Sequence, residues 1–238
     1  MISILSVNYN ALPWMKLLVA SVRKFTTVPY EIVIIDNNSQ DGSVKWLREQ
    51  SDVRAVMLNH NVKHGPGMDM AFRYAQHRLC LVMDIDAHIM RENWDFDLMG
   101  IFKDNPNTRL IAAMGGEVKP IHPCFMFIQR DFFLKNNLSF GPGEGYDVGR
   151  KLYPDIIDMG HDVYRAPVRY EEDGKKFYDG AYGDHYDING QPTIYHNWYS
   201  SRMWQKIQVD SLTREEHDRR NRIVFDHPHV KQILGGVG

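Results

Sequence analysis

Leu79-Cys80-Leu81-Val82-Met83-Asp84-Ile85-Asp86 is a run of apolar residues that stops at two acids separated by a single isoleucine. An unbroken apolar run of this length, without alternation, is what a strand buried on both faces requires, and that is the state of a central strand in a parallel sheet. Carboxylates at the mouth of such a strand are costly unless their charge is compensated. In extended backbone Asp84 and Asp86 leave the same face of the chain, so they can converge on one cation. Hard oxygen donors favour Mn2+ or Mg2+, ions that keep coordination positions for water and substrate phosphate.

The residues before this run alternate between strand and helix patterns. Ile2 to Val7 reads as a strand that ends at Asn8. After the Asn8-Tyr9-Asn10 corner, Leu12, Met15, Leu18, Val19 and Val22 fall at helical spacing, with Pro13 in the first turn where it is tolerated. Glu31 to Ile35 is a second strand ending at Asp36, and Asn37 to Ser43 is turn chemistry ahead of a helix from Val44 to Arg48. A third strand covers Val53 to Leu58. His64-Gly65-Pro66-Gly67 reads as a loop that lets backbone approach a ligand or another backbone closely, and a helix is expected over Met68 to Arg78. This alternation predicts an α/β fold with a mainly parallel central sheet and helices on both faces. Ligands in such sheets bind beyond the C-terminal strand ends. Asn8, Asp36 and the Asp84/Asp86 pair therefore belong to one functional edge.

Beyond Asp86 the patterns weaken. Leu110 to Met114 and Cys124 to Ile128 read as strands, and Tyr153 to Met159 as a helix ending at Gly160. Residues 171–193, rich in Gly, Asp and Tyr without periodicity, read as a long loop, and a charged helix is expected from Ser200 to about Phe225.

Composition narrows the function classes. The 28 Lys plus Arg against 30 Asp plus Glu leave no general attraction to nucleic acid or anionic membrane. The 238 residues suit one catalytic domain. Neither a basic leader nor an apolar stretch of spanning length is present, so no integral membrane segment and a cytoplasmic location are expected. The two cysteines, Cys80 and Cys124, have no metal-ligand spacing in sequence and read as reduced structural thiols.

Three stretches together resemble the opening motifs of family 2 glycosyltransferases: Ile2 to Asn10, then Asp36-Asn37-Asn38-Ser39-Gln40-Asp41-Gly42-Ser43, then Asp84-Ile85-Asp86. The resemblance implies a GT-A fold and an inverting transfer of sugar from a nucleotide-diphosphate sugar to a hydroxyl of a glycan or other acceptor. UDP is the default nucleotide because it is common in that family. Donor contacts are implied for Val7, Asn8, Tyr9, Asp36, Asn38, Gly65, Asp84 and Ile85, with Arg202 able to reach the diphosphate. The metal would lie on Asp84 and Asp86, completed by His196 of the Tyr195-His196-Asn197-Trp198 stretch. The general base falls in Gly143-Glu144-Gly145-Tyr146-Asp147, with Asp147 ahead of Glu144. Asp69 stands where the family often has Asn. The acceptor would meet His122-Pro123-Cys124, the 171–193 loop, Trp198 and Trp204. Residues 1–90 would form the nucleotide-binding half, 91–199 the acceptor-binding and catalytic half, and 200–238 a helical extension.

Two rival readings remain at this level. A sugar-1-phosphate nucleotidyltransferase normally opens with a Gly-rich loop, which Asn8-Tyr9-Asn10-Ala11 lacks. A non-catalytic nucleotide- or glycan-binding protein of the same fold would dispense with the base.

Overall fold

A computed structural model describes residues 1–117, 119–143, 145–169, 177–181, 183–198 and 213–235. The first half runs β1 (Ile2–Asn8), α1 (Leu12–Phe25), β2 (Tyr30–Asp36), α2 (Ser43–Arg48), β3 (Val53–Met57), α3 (His64–Tyr74) and β4 (Leu79–Met83). The second half runs β5 (Ala87–Ile89), α4 (Trp94–Asp104), β6 (Thr108–Met114), β7 (Ile121–Gln129), α5 (Arg130–Lys135), α6 (Leu152–Asp158), β8 (Asp162–Ala166), β9 (Val168–Arg169), β10 (Gly183–Ile188), β11 (Gln191–Asn197), α7 (Arg214–Asp226) and α8 (Pro228–Gly235).

The large sheet has the order β3-β2-β1-β4-β7-β6-β8, and β7 alone runs against its neighbours. Its central strands are mostly apolar because both faces are covered. Ile2, Ile4, Ile32, Ile34, Leu81 and Met83 pack on the α1 side. Leu5, Val7, Val33, Ile35, Cys80 and Val82 pack under α3, α5 and α6. Successive residues of one strand thus enter different cores, as the pleat requires. The few polar residues inside are bonded; Ser6 Oγ, for example, donates to Met83 O at 2.8 Å across β1 and β4.

Strand order reverses at β1, with β2 on one side and β4 on the other, which places the switch-point crevice at the ends of β1 and β4. The antiparallel β7 has a consequence for function. Its first residues, not its last, reach the edge where the parallel strands end, so His122 and Cys124 arrive there.

Several expectations are corrected. The helix placed at Met68 to Arg78 begins at His64 and ends at Tyr74. His64-Gly65-Pro66-Gly67 is its first turn, where Pro66 costs nothing because the early N–H groups have no intrahelical acceptor. Gly65 lets two backbones approach closely: a Cβ there would lie 2.7 Å from Phe140 O. Residues 183–193, read as part of a loop, belong to the hairpin β10–β11 over 183–197, whose turn is Asn189-Gly190 with φ of 54° and 75°. Two positive φ values in a two-residue turn suit Asn-Gly, and that dipeptide was the available signal. The charged C-terminal helix starts at Arg214, capped by Thr213, whose side chain accepts from Glu216 N at 3.2 Å. The stretch 199–212, including Arg202 and Trp204, lies outside the described residues, as does Glu144. Among the described residues no helix is long and apolar enough to cross a membrane.

Candidate active site

The chain turns sharply where β4 ends. Ala87 N donates to Asp84 O at 3.0 Å, so Asp84-Ile85-Asp86 is a tight turn and not the extended segment that its spacing suggested. The carboxylates nevertheless converge, for a different reason. The turn leads into β5, which pairs antiparallel with β11 and sets Ala87 opposite His196. Asn197 N donates to Asp86 O at 3.0 Å and locks that register. His196 Nε2 is thereby held 3.5 Å from Asp84 Oδ2 and 3.4 Å from Asp86 Oδ1. His64, in the first turn of α3, brings Nε2 to 3.4 Å from Asp84 Oδ1.

These groups line a cavity of about 550 Å³ at the switch point. Val7, Tyr9 and Asn37, at the ends of β1 and β2, border it together with Ile85, Asp147 and Trp198. Lys63, Lys119 and Arg150 face the same space and bring positive charge to it. Arg150 donates through Nη1 to Ile121 O at 2.7 Å, while its buried Nε has no hydrogen-bond partner.

Asp36 and Asn8 sit behind this wall. Both are fully buried; Asn8 Nδ2 donates to Asp36 Oδ2 at 2.7 Å and Ser39 N donates to Asp36 Oδ1 at 2.9 Å. Ser39 Oγ accepts from Asn8 Nδ2 and from Asn10 N, so one carboxylate pins two corners together. Asn38 is exposed with φ of 64° and Gly65 packs on Phe140, so neither borders the cavity. Asp69 is occupied by Ser139 Oγ and Phe140 N, the latter at 2.7 Å, and holds the segment that leads to Asp147.

The electrostatics suit a cation. Burial raises the Asp84 carboxyl above its usual range, His64 and His196 pull it back, and Asp86 and Asp147 push it further up. Its Oδ1 is buried without a hydrogen-bond partner. Burial opposes a charge on His196, yet Cys124 and Asp86 outweigh it and hold the imidazole well above its usual pKa. Burial, then His196 and Arg150, push His122 down to about 2, so that ring is neutral. One ligand atom each from Asp84, Asp86 and His196 lies within 4.8 Å of the others. Two carboxylates and one imidazole fit Mn2+ or Mg2+ in donor type.

Sequence reasoning named Val7, Tyr9, Asp84, Ile85, Asp86, Asp147 and His196, and the fold brings all of them to this cavity. It missed His64, Lys119 and Arg150. None of the three carries a local pattern: each is an ordinary polar residue whose neighbour is fixed only by packing.

The fold is shared with solved structures. The mannosyltransferase PcManGT from Pyrobaculum calidifontis, in complex with GDP-Man and Mn2+, matches with a TM-score of 0.56 at 16% identity, over 70% of this chain and 54% of that one. S. aureus TarS 1–349 matches with a TM-score of 0.58 at 13% identity, over 98% of this chain and 69% of that one. The complex of that fragment with UDP gives 0.54 at 13% identity, over 99% and 70%. The chain spans about half the length of the mannosyltransferase. At these identities the likeness establishes the GT-A-type fold. No curated protein sequence matches the chain. The model for glycosyl transferase family 2 matches residues 3–147, more than half of the sequence, and the chain therefore belongs to that family.

Proposed function

We propose that this chain transfers a sugar, with inversion, from a nucleoside-diphosphate sugar to a hydroxyl group of a glycan or similar acceptor, assisted by Mn2+ or Mg2+. The observation that carries the reading is the convergence of Asp84, Asp86 and His196 in the same cavity as Asp147. A bound divalent cation would supply Lewis-acid stabilisation of the departing diphosphate. The nucleoside lies against Val7, Tyr9 and Asn37, a corner that Asp36 and Asn8 shape from behind. Uridine is the default base. Lys63, Lys119 and Arg150 neutralise the diphosphate, a role in which Arg202 also remains a candidate.

Asp147 takes the proton from the acceptor hydroxyl as the glycosidic bond to the donor breaks. It is exposed to the cavity and its Oδ1 is steadied by Val148 N at 2.8 Å. Glu144 is the second candidate. Trp198 stands where a ring could stack on a pyranose face of the acceptor, its Nε1 donating to Asp184 Oδ2 at 3.0 Å. A thermal-shift panel of nucleoside diphosphates, each with and without Mn2+, tests the reading, because a ligand that binds only the folded state raises the melting temperature. Stabilisation by one nucleotide that requires Mn2+ is expected; no response to any nucleotide would refute it.

A further inference from the structure

His196 faces two donor sets. Its Nε2 looks toward Asp84 and Asp86. Cys124 and His122 also lie beside its ring. The Cys124 side chain interacts with His196, the rings of His122 and His196 have centroids 5.2 Å apart, and one ligand atom each from His122, Cys124 and His196 lies within 4.8 Å of the others. Local backbone explains why His122 and Cys124 meet. β7 bulges here, Ala112 pairing with Met126 while Ala113 pairs with His122, and Cys124 N donates to His122 Nδ1 at 3.2 Å. The bulge re-aims side chains at the sheet edge.

A thiol and two imidazoles form a different chemical set from two carboxylates and one imidazole. Sulfur and nitrogen donors select Zn2+, whereas oxygen donors select Mg2+ or Mn2+. Tetrahedral zinc holds its ligand atoms about 3.3–3.8 Å apart at ordinary bond lengths, so a modest contraction of these three atoms onto one ion forms three bonds. Water takes the fourth position. An entry path exists because His122 borders both the cavity of Asp84 and a neighbouring one of about 560 Å³. Tyr186, whose side chain interacts with Cys124, supplies an outer support for the sulfur.

We propose that His122, Cys124 and His196 form a zinc site that shares His196 with the Asp84/Asp86 pair, so that zinc bound there antagonises the cation that the acidic pair holds. The Cys124 thiol gives up its proton to solvent as the zinc–sulfur bond forms, and no redox partner is involved. One imidazole cannot serve both ions well: each needs a ring nitrogen at bond length, and two divalent charges on one ring repel. Zinc is thus an inhibitor that acts through a ligand of the catalytic cation. Binding of zinc stands on its own; the inhibition rests on the transferase reading above.

The test is titration of the 238-residue chain with Co2+, a spectroscopic stand-in for Zn2+ that gives a thiolate-to-metal charge-transfer band. Wild type is expected to show that band, Zn2+ to abolish it, and Cys124→Ser to lack it while keeping a normal melting curve. Asp86→Asn should retain it. Absence of the band in wild type, or its persistence in Cys124→Ser with loss in Cys80→Ser, overturns the proposal. Should Cys124→Ser fail to fold, His122→Ala, at a half-buried position, decides the matter: it must weaken Co2+ binding by about 10-fold or more. With transfer measured in Mn2+ and each protein compared with its own zinc-free rate, Zn2+ should inhibit wild type and require at least about 10-fold more metal for the same fractional inhibition of Cys124→Ser. A charge-transfer band without any transferase activity would sink the proposed function and leave the zinc site standing.

Discussion

His196 Nε2 lies 3.4 Å from Asp86 Oδ1, and the two residues are joined by neither sequence proximity nor a shared strand. They meet because β5 grows out of the Asp84-Ile85-Asp86 turn and pairs with β11, with Ala87 opposite His196. The pair gives the candidate site its third ligand and ties the smaller sheet to the mouth of the larger one.

Asp86→Asn should lose most turnover while the protein stays folded. The substitution keeps the shape of the turn but removes a charged ligand, so a melting curve near that of wild type is expected alongside the loss. Undiminished rates in the variant, or in wild type treated with excess chelator, would contradict the metal assignment.

Metal binding should release a proton. With its pKa raised by Cys124 and Asp86 against the effect of burial, His196 is protonated in the metal-free protein below that raised value, and a cation at its Nε2 must displace the proton. The apparent affinity for Mn2+ therefore falls as pH falls, by about tenfold per pH unit for one linked proton. Calorimetry in buffers of different ionisation enthalpy measures the release directly, and an enthalpy independent of buffer would argue against His196 as ligand.

Asp36→Ala should cost stability as well as nucleotide affinity. It strands Ser39 N and removes one acceptor of Asn8 Nδ2 in a fully buried corner, and an unsatisfied buried group costs about 1–3 kcal/mol. Urea unfolding reads the first effect and nucleotide titration the second. A variant as stable as wild type would mean that the corner relaxes or admits water.

Asp147→Asn should slow transfer by about 100-fold or more and leave donor and metal binding near wild type, because a base acts in the transition state and contributes little to donor affinity. Glu144→Gln, made in parallel, should be milder. The reverse pattern moves the base to Glu144.

Gly65→Ala tests whether α3 and the segment before Asp147 must touch. The added Cβ would meet Phe140 O at 2.7 Å, and that carbonyl also accepts from Gly149 N at 3.0 Å. Overpacking of this kind costs about 1–3 kcal/mol, and the shift should reach Asp147 through the 141–149 loop and lower turnover. Equal stability in urea would show that the two backbones separate freely.

The first half of the fold was legible in the sequence because its signals are local. Leu79–Met83 announces a buried strand by an unbroken apolar run, Ile2–Asn8 and Tyr30–Asp36 by runs that are mostly apolar, and the acids and amides that end them fall on one sheet edge by topology alone. Asn189-Gly190 was equally local and marks the hairpin that the loop reading overlooked. Asp84 and Asp86 could be named as a pair from spacing, although the turn that converges them differs from the extended geometry that spacing suggests. What only the tertiary structure decided depends on contacts between distant segments. The antiparallel course of β7 delivers His122 and Cys124 to the edge, the β5–β11 pairing delivers His196, and the first turn of α3 delivers His64. Asp36, a candidate donor contact by sequence, is fully buried behind that corner because Asn8 and Ser39 claim its oxygens. Apolar periodicity records which residues are buried, but a polar side chain leaves no periodic trace of its partner, so its role is fixed only when the chain has folded around it.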